Sequence, residues 1–127
     1  MSSTGRSQAR GARASSCTDE QARRDEAMSR VFAETLVNAL RAHKPALKVN
    51  DSGDPVRNVI RQKGGKAYVP CVLRNNSVPT KVLIETGNMN NAGDRANLSN
   101  PQWRQAFAEA YVDALRRHYG SCPPYCE

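Results

Sequence analysis

Histidine is almost missing from this sequence of 127 residues, which holds two, and aromatic residues make up only 6% of it. No stretch interleaves aromatics with basic residues, which removes the stacking platform of a single-strand nucleic-acid binder. No helix-turn-helix spacing takes its place. No apolar run approaches the roughly 18 residues that a membrane span requires. Met1 to Ser16 is mostly Ser, Gly, Ala and Arg without an apolar centre, so it does not read as a secretory signal. Ala14-Ser15-Ser16-Cys17 resembles a lipoprotein cleavage box but lacks the hydrophobic segment that should precede it. Nucleic acid and a membrane span are therefore set aside as partners.

Cysteine is also scarce: Cys17, Cys71, Cys122 and Cys126. The last two flank Pro-Pro-Tyr in the tail, but a zinc site needs four ligands and no second pair stands at zinc-finger spacing. A local disulfide in an extracytoplasmic protein and unpaired surface thiols both fit this pattern.

What the chain does have is positive charge, a net +7 with an isoelectric point near 9.6. This favours anionic surroundings such as nucleic acid, lipid headgroups or bacterial wall polymers, without choosing among them. Ordinary solvated surface plus a basic tail accounts for it equally well. The length allows one small domain.

Along the chain, residues 1–25 read as a disordered, basic, low-complexity segment, too polar to order itself. A helix follows, with Met28, Val31, Phe32, Leu36, Ala39 and Leu40 on its apolar side and Arg30, Glu34, Asn38 and Arg41 opposite. Pro45 marks its end. Val49 to Gly65 reads as loop, with Gly64-Gly65 among its turn signals. Ala67 to Leu73 is expected to be a strand weakened by Pro70, which cannot donate to a ladder. Thr80 to Thr86 is expected to be a better strand, its Val82-Leu83-Ile84 centre covered on both faces. The last helix has the clearest limits: Asn100 as cap, Pro101 at the first position and Gly120 after the end. Trp103, Phe107, Ala110, Tyr111, Ala114 and Leu115 form its buried stripe, leaving Glu109 on the solvent side. Residues 120–127 form a Cys/Pro tail. Helix, strand, strand, helix predicts part of an α/β layered domain, with too few strands to complete a sheet.

One carboxylate stands apart. Glu85 ends the most apolar strand, directly before Thr86-Gly87 and the polar loop Asn88 to Asn91. Ligand crevices in α/β sheets lie outside the carboxyl ends of strands, and an acid there, partly desolvated, can act as a general base. From position alone, a strand-end Glu that faces water or pairs with an Arg is the more common case.

Val72-Leu73-Arg74, then Val78-Pro79, then Val82-Leu83-Ile84-Glu85-Thr86-Gly87 and Asn91 resemble the end of the type 3 N-acetylmuramoyl-L-alanine amidases. Asp94, Leu98 and the helix from Pro101 to His118 continue the resemblance. Upstream, Arg30 to Val37 is similar to the helix that follows that family's second histidine ligand. The resemblance runs from about residue 28 to residue 119. Asn88 departs from it, standing where the family has an aromatic.

The resemblance implies the C-terminal part of a layered α/β amidase domain, a mixed sheet flanked by helices and incomplete here, over residues 26–119. It implies hydrolysis of the amide between N-acetylmuramic acid and L-alanine in peptidoglycan, with Glu85 as the catalytic base. It also implies a zinc ion held by a His, a Glu and a second His, a site in the periplasm or cell wall, and peptidoglycan as partner. The two histidine motifs of the family, D-x-G-H-G and S-x-H-A, do not occur. His43 and His118 sit near predicted helix ends, where histidines are usually surface residues favoured by the helix dipole. The expectation is a chain that lacks the zinc-ligand half and is inactive alone, with the missing N-terminal part as a further partner. The alternative is a non-catalytic protein of the same descent that binds the wall or a partner amidase.

Overall fold

Two long helices carry most of the packing. The computed structural model describes residues 19–50, 52–57, 61–63, 66–68, 70–74 and 76–120. Helix α1 runs Asp19–Ala42, strands β1 and β2 are Arg61–Lys63 and Lys66–Tyr68, and helices α2, α3 and α4 are Cys71–Arg74, Ala92–Ser99 and Pro101–Tyr119. The tail, the segment before Asp19, Gly64-Gly65, and Cys17, Cys122 and Cys126 lie outside the described residues. Helix α1 thus begins inside the segment read as 1–25.

Helices α1 and α4 pack on each other, and α3 packs on α4. The core is Phe32, Leu36 and Ala39 of α1 against Ala114 of α4, with Leu40, Tyr111 and Leu115 around it. Ala39, Ala110 and Ala114 are 2%, 1% and 0% exposed; side chains this small let the helices approach closely. Phe32 fills the space beside them, edge-on to Tyr111 at 6.2 Å and to His118 at 5.2 Å. Burying a side chain of this size contributes about 1.5–3 kcal/mol. Of the stripe expected on α4, Ala110 and Ala114 are buried and Trp103, Phe107, Tyr111 and Leu115 are half-buried, and the stripe on α1 is narrower than expected. Met28 and Val31 are 47% and 55% exposed, because one partner helix covers less of a cylinder than a sheet would.

The ends of α4 follow the sequence signals. Asn100 Oδ1 accepts from the Gln102 amide at 2.9 Å, Pro101 opens the helix, and Gly120 after it has φ 78°, a left-handed value that favours glycine. Helix α3 was not expected. Its signal is Asn91 three residues before Asp94, a capping pattern: Asn91 Oδ1 accepts from the Asp94 amide at 3.0 Å, and Asp94 Oδ2 accepts from the Asn88 amide at 2.8 Å.

The expectation of an α/β layered domain with a mixed sheet flanked by helices is not met. The packed body is helical, and the strands among the described residues are three residues each. They pair antiparallel, Arg61 to Tyr68, Gln62 to Ala67 and Lys63 to Lys66. Of the strand expected over Ala67 to Leu73, Ala67 and Tyr68 lie in β2, Val69 lies outside the described residues, and Cys71–Arg74 is helical. Thr80 to Thr86 carries no ladder. Val82 and Ile84 pack on the helical core, but Leu83 is 48% exposed, so one face is covered rather than two. An apolar centre favours extension, yet a strand exists only with a neighbour for its N–H and C=O groups.

Candidate functional site

Glu85 lies in the stretch 81–88, where Val82 and Ile84 pack on the helical core and Leu83 and Glu85 are exposed. Ser29 of α1 anchors the start of this stretch: its hydroxyl accepts from the Lys81 amide at 3.0 Å, while its one proton goes to the Asp25 carbonyl at 2.7 Å, with the Pro79 carbonyl farther off at 3.3 Å. The other end is held through Gly87. A Cβ there would lie 3.2 Å from Asp94 Cβ and 3.2 Å from Leu98 Cδ1, so the glycine of the Glu-Thr-Gly box is explained by close approach to α3. Glu85, two residues before it, is exposed and makes no hydrogen bond or ion pair among the described residues.

Beside it is a cleft of about 350 Å³, bounded by α1, the loop 54–57, the stretch 82–86 and Trp103 and Phe107 of α4. The two aromatic rings stack with centroids 5.7 Å apart and 19° between planes. Arg30 of α1 fixes the loop by its bonds to Glu34 at 3.0 Å and Asp54 at 2.9 Å. The Val56 amide, followed by Arg30, holds the Asp54 carboxyl below its ordinary range. The arrangement offers a solvent-accessible carboxylate beside a partly apolar cleft, which suits proton transfer to or from a ligand lodged there.

Neither histidine is among the residues that line this cleft. His43 Nδ1 lies 3.0 Å from the Pro45 carbonyl oxygen and Nε2 lies 3.1 Å from Glu109 Oε2. Both neighbours are acceptors, so the protonated ring, which donates from both nitrogens, satisfies them best. The Pro45 carbonyl, then Glu109, raises the His43 pKa above its ordinary value. His43 is therefore a tie between α1 and α4 rather than a free helix-end residue, and Glu109 is its partner rather than an idle solvent-side carboxylate. The signal missed was pairwise: nothing local in the sequence places residues 43 and 109 together. His118 packs edge-on to Phe32 and to Tyr119, the latter at 4.6 Å.

A family model described as N-acetylmuramoyl-L-alanine amidase matches residues 2–117. The chain belongs to this amidase family. The match covers Glu85 and begins well before the resemblance noted from residue 28. The chain is also similar to an uncharacterized cell wall amidase of Bacillus anthracis, 33% identical over 91 residues, or 72% of this chain. It spans 14% of that relative's length. No solved structure matches.

The amidase family is one of zinc enzymes, and the residues described do not fit a zinc ion. A histidine ligand needs a free lone pair on a neutral ring, whereas both nitrogens of His43 face acceptors. No cluster of three His, Cys, Asp or Glu side chains suited to a metal occurs among the described residues.

Proposed function

We propose that this chain carries the proton-transfer carboxylate of a peptidoglycan amidase and needs a histidine-bearing part from elsewhere to act. Glu85 would take the proton of the attacking water and return it to the leaving amine as the bond between the lactyl group of N-acetylmuramic acid and L-alanine breaks. The observation that supports this is an exposed carboxylate beside the cleft, without a partner among the described residues and inside the region matched by the amidase family. The cleft and the net charge of +7 suit an anionic wall polymer as ligand. The place of action would be the periplasm or cell wall. The misfit of the donor set favours a second reading, a wall-binding or amidase-partner protein of the same descent.

Two experiments separate these. The isolated chain should release no stem peptide from purified peptidoglycan, with or without added zinc ion; release would refute the need for a second part. Joined to the histidine-bearing part of a full-length family member, the chain should become active. Glu85→Gln in that chimaera should lower kcat by about 10²- to 10⁴-fold, the usual contribution of a general acid–base group. Full turnover by the Gln variant would end the assignment of Glu85. An inactive chimaera that still sediments with peptidoglycan would support the binding protein.

A further inference from the structure

The stretch Thr80-Lys81-Val82-Leu83-Ile84-Glu85-Thr86 has a symmetry that its role in an amidase site does not use. Read antiparallel against itself about Leu83, it sets Thr80 opposite Thr86, Lys81 opposite Glu85 and Val82 opposite Ile84. Every residue meets one of matching chemistry: hydroxyl with hydroxyl, cation with anion, β-branched with β-branched. Such cross-strand pairs are the stabilising units of a sheet.

The backbone supplies an independent check. In an extended chain the N–H and C=O of one residue share an edge, and successive residues alternate edges. The Lys81 amide donates to Ser29 of α1, so the edge that carries the Lys81 amide, the odd-numbered one, faces α1. The even-numbered edge, with Val82 and Ile84, makes no backbone bond among the described residues. The charge-matched register joins these two residues: Val82 exchanges both bonds with Ile84 of a second copy, and Ile84 with Val82. Lys81 and Glu85 then fall at non-hydrogen-bonded positions, where opposed side chains are closest. The ammonium of Lys81 donates to the Asn76 carbonyl at 2.6 Å, which leaves two donors for a carboxylate. Lys81, Leu83 and Glu85 of both copies share the outer face, and each pair of Val82 and Ile84 stays on its own helices.

We propose that residues 80–86 are a self-complementary edge through which two copies of this chain pair about a two-fold axis at Leu83. The partner is a second copy because the charges, the side-chain classes and an edge without a backbone bond among the described residues all agree in one register. A two-fold contact has to be self-complementary in this way. The inference is independent of any catalytic role of Glu85, since its readout is association.

The test is sedimentation of the full chain from low micromolar to near-millimolar concentration, with amide exchange at both ends of the range. The chain should dimerise with concentration, and the Val82 and Ile84 amides should gain protection while Leu83 does not. Lys81→Glu and Glu85→Lys each set like charges opposite one another twice, and each should raise the dimer Kd about tenfold or more. The double variant exchanges the charges and should restore the affinity. Circular dichroism of each variant checks that the helices persist. A monomer at every concentration would overturn the proposal, as would a dimer indifferent to the single substitutions or a double variant no better than either. Protection at Leu83 in place of Val82 and Ile84 would overturn it too.

Discussion

The helical pair and the stretch between its members solve the same problem differently. In α1 and α4 each backbone amide beyond the first turn finds its acceptor within its own helix, and the side chains are left to pack. Between them, over residues 43–91, polar side chains do much of that work. Asn50 Oδ1 accepts from the Ser52 amide, Asp54 Oδ1 from Val56, Asn76 Oδ1 from Val78 and Asn88 Oδ1 from Asn90, each two residues ahead and 2.9–3.0 Å away. These are turns made by Asn and Asp in place of a ladder. The proposed catalytic carboxylate thus sits on the region held by local polar bonds and by contact with the helices, and stability should differ sharply between the two.

The largest effect expected is from Phe32→Ala, which empties the centre of the α1–α4 seam. Truncation of a buried Phe costs about 3–5 kcal/mol, a large share of what a chain of this size can hold. Urea unfolding followed by far-UV circular dichroism should show the loss. If the midpoint moves by less than the equivalent of about 1 kcal/mol, the seam is not the main source of stability. Met28→Ala, on the same helix but 47% exposed, should stay within about 0.5 kcal/mol of wild type.

What could be read in advance divides along the same line. The limits of α4 were legible because Asn100, Pro101 and Gly120 act on their own backbone and need no distant partner. Its stripe was legible because helical periodicity is local. The sheet was misjudged because Val82-Leu83-Ile84 reports apolarity and extension, while a strand depends on neighbours the local pattern cannot name. Glu85 was picked out by its place in a motif; the cleft beside it comes from α1, loop 54–57 and α4 meeting in space. Helix α3 could have been found, since Asn91 and Asp94 stand at capping distance. Asn91→Ala tests whether that cap is what holds it. The substitution should cost about 1 kcal/mol, and amide exchange in Arg95 to Ser99 should quicken about fivefold while α4 is unchanged. Equal exchange in the variant would mean that packing on α4, not the cap, sets the helix.

The smallest effect sharpens the comparison at its boundary, where His43 leaves the end of α1 and meets Glu109. The Pro45 carbonyl, and then Glu109, raises the His43 pKa above 6.5. Gln105, and then His43, lowers that of Glu109 below 4.5. A raised histidine contributes stability fully below about 6.5 and loses it as pH rises through the folded value. A lowered carboxylate contributes fully above about 4.5 and loses it as pH falls through its folded value. The tie is therefore complete between these limits and fails on either side. Glu109→Gln should lower Tm slightly in that window, and the difference from wild type should vanish once pH exceeds the folded pKa of His43. Proton resonances of the His43 ring should titrate above 6.5 in the wild type. In the Gln variant they should shift down yet stay above 6.5, because the Pro45 carbonyl, the larger cause, is still in place. A wild-type ring titrating at or below 6.5 would mean that His43 does not bridge the helices in solution, and the two helices would then be joined by their apolar seam alone.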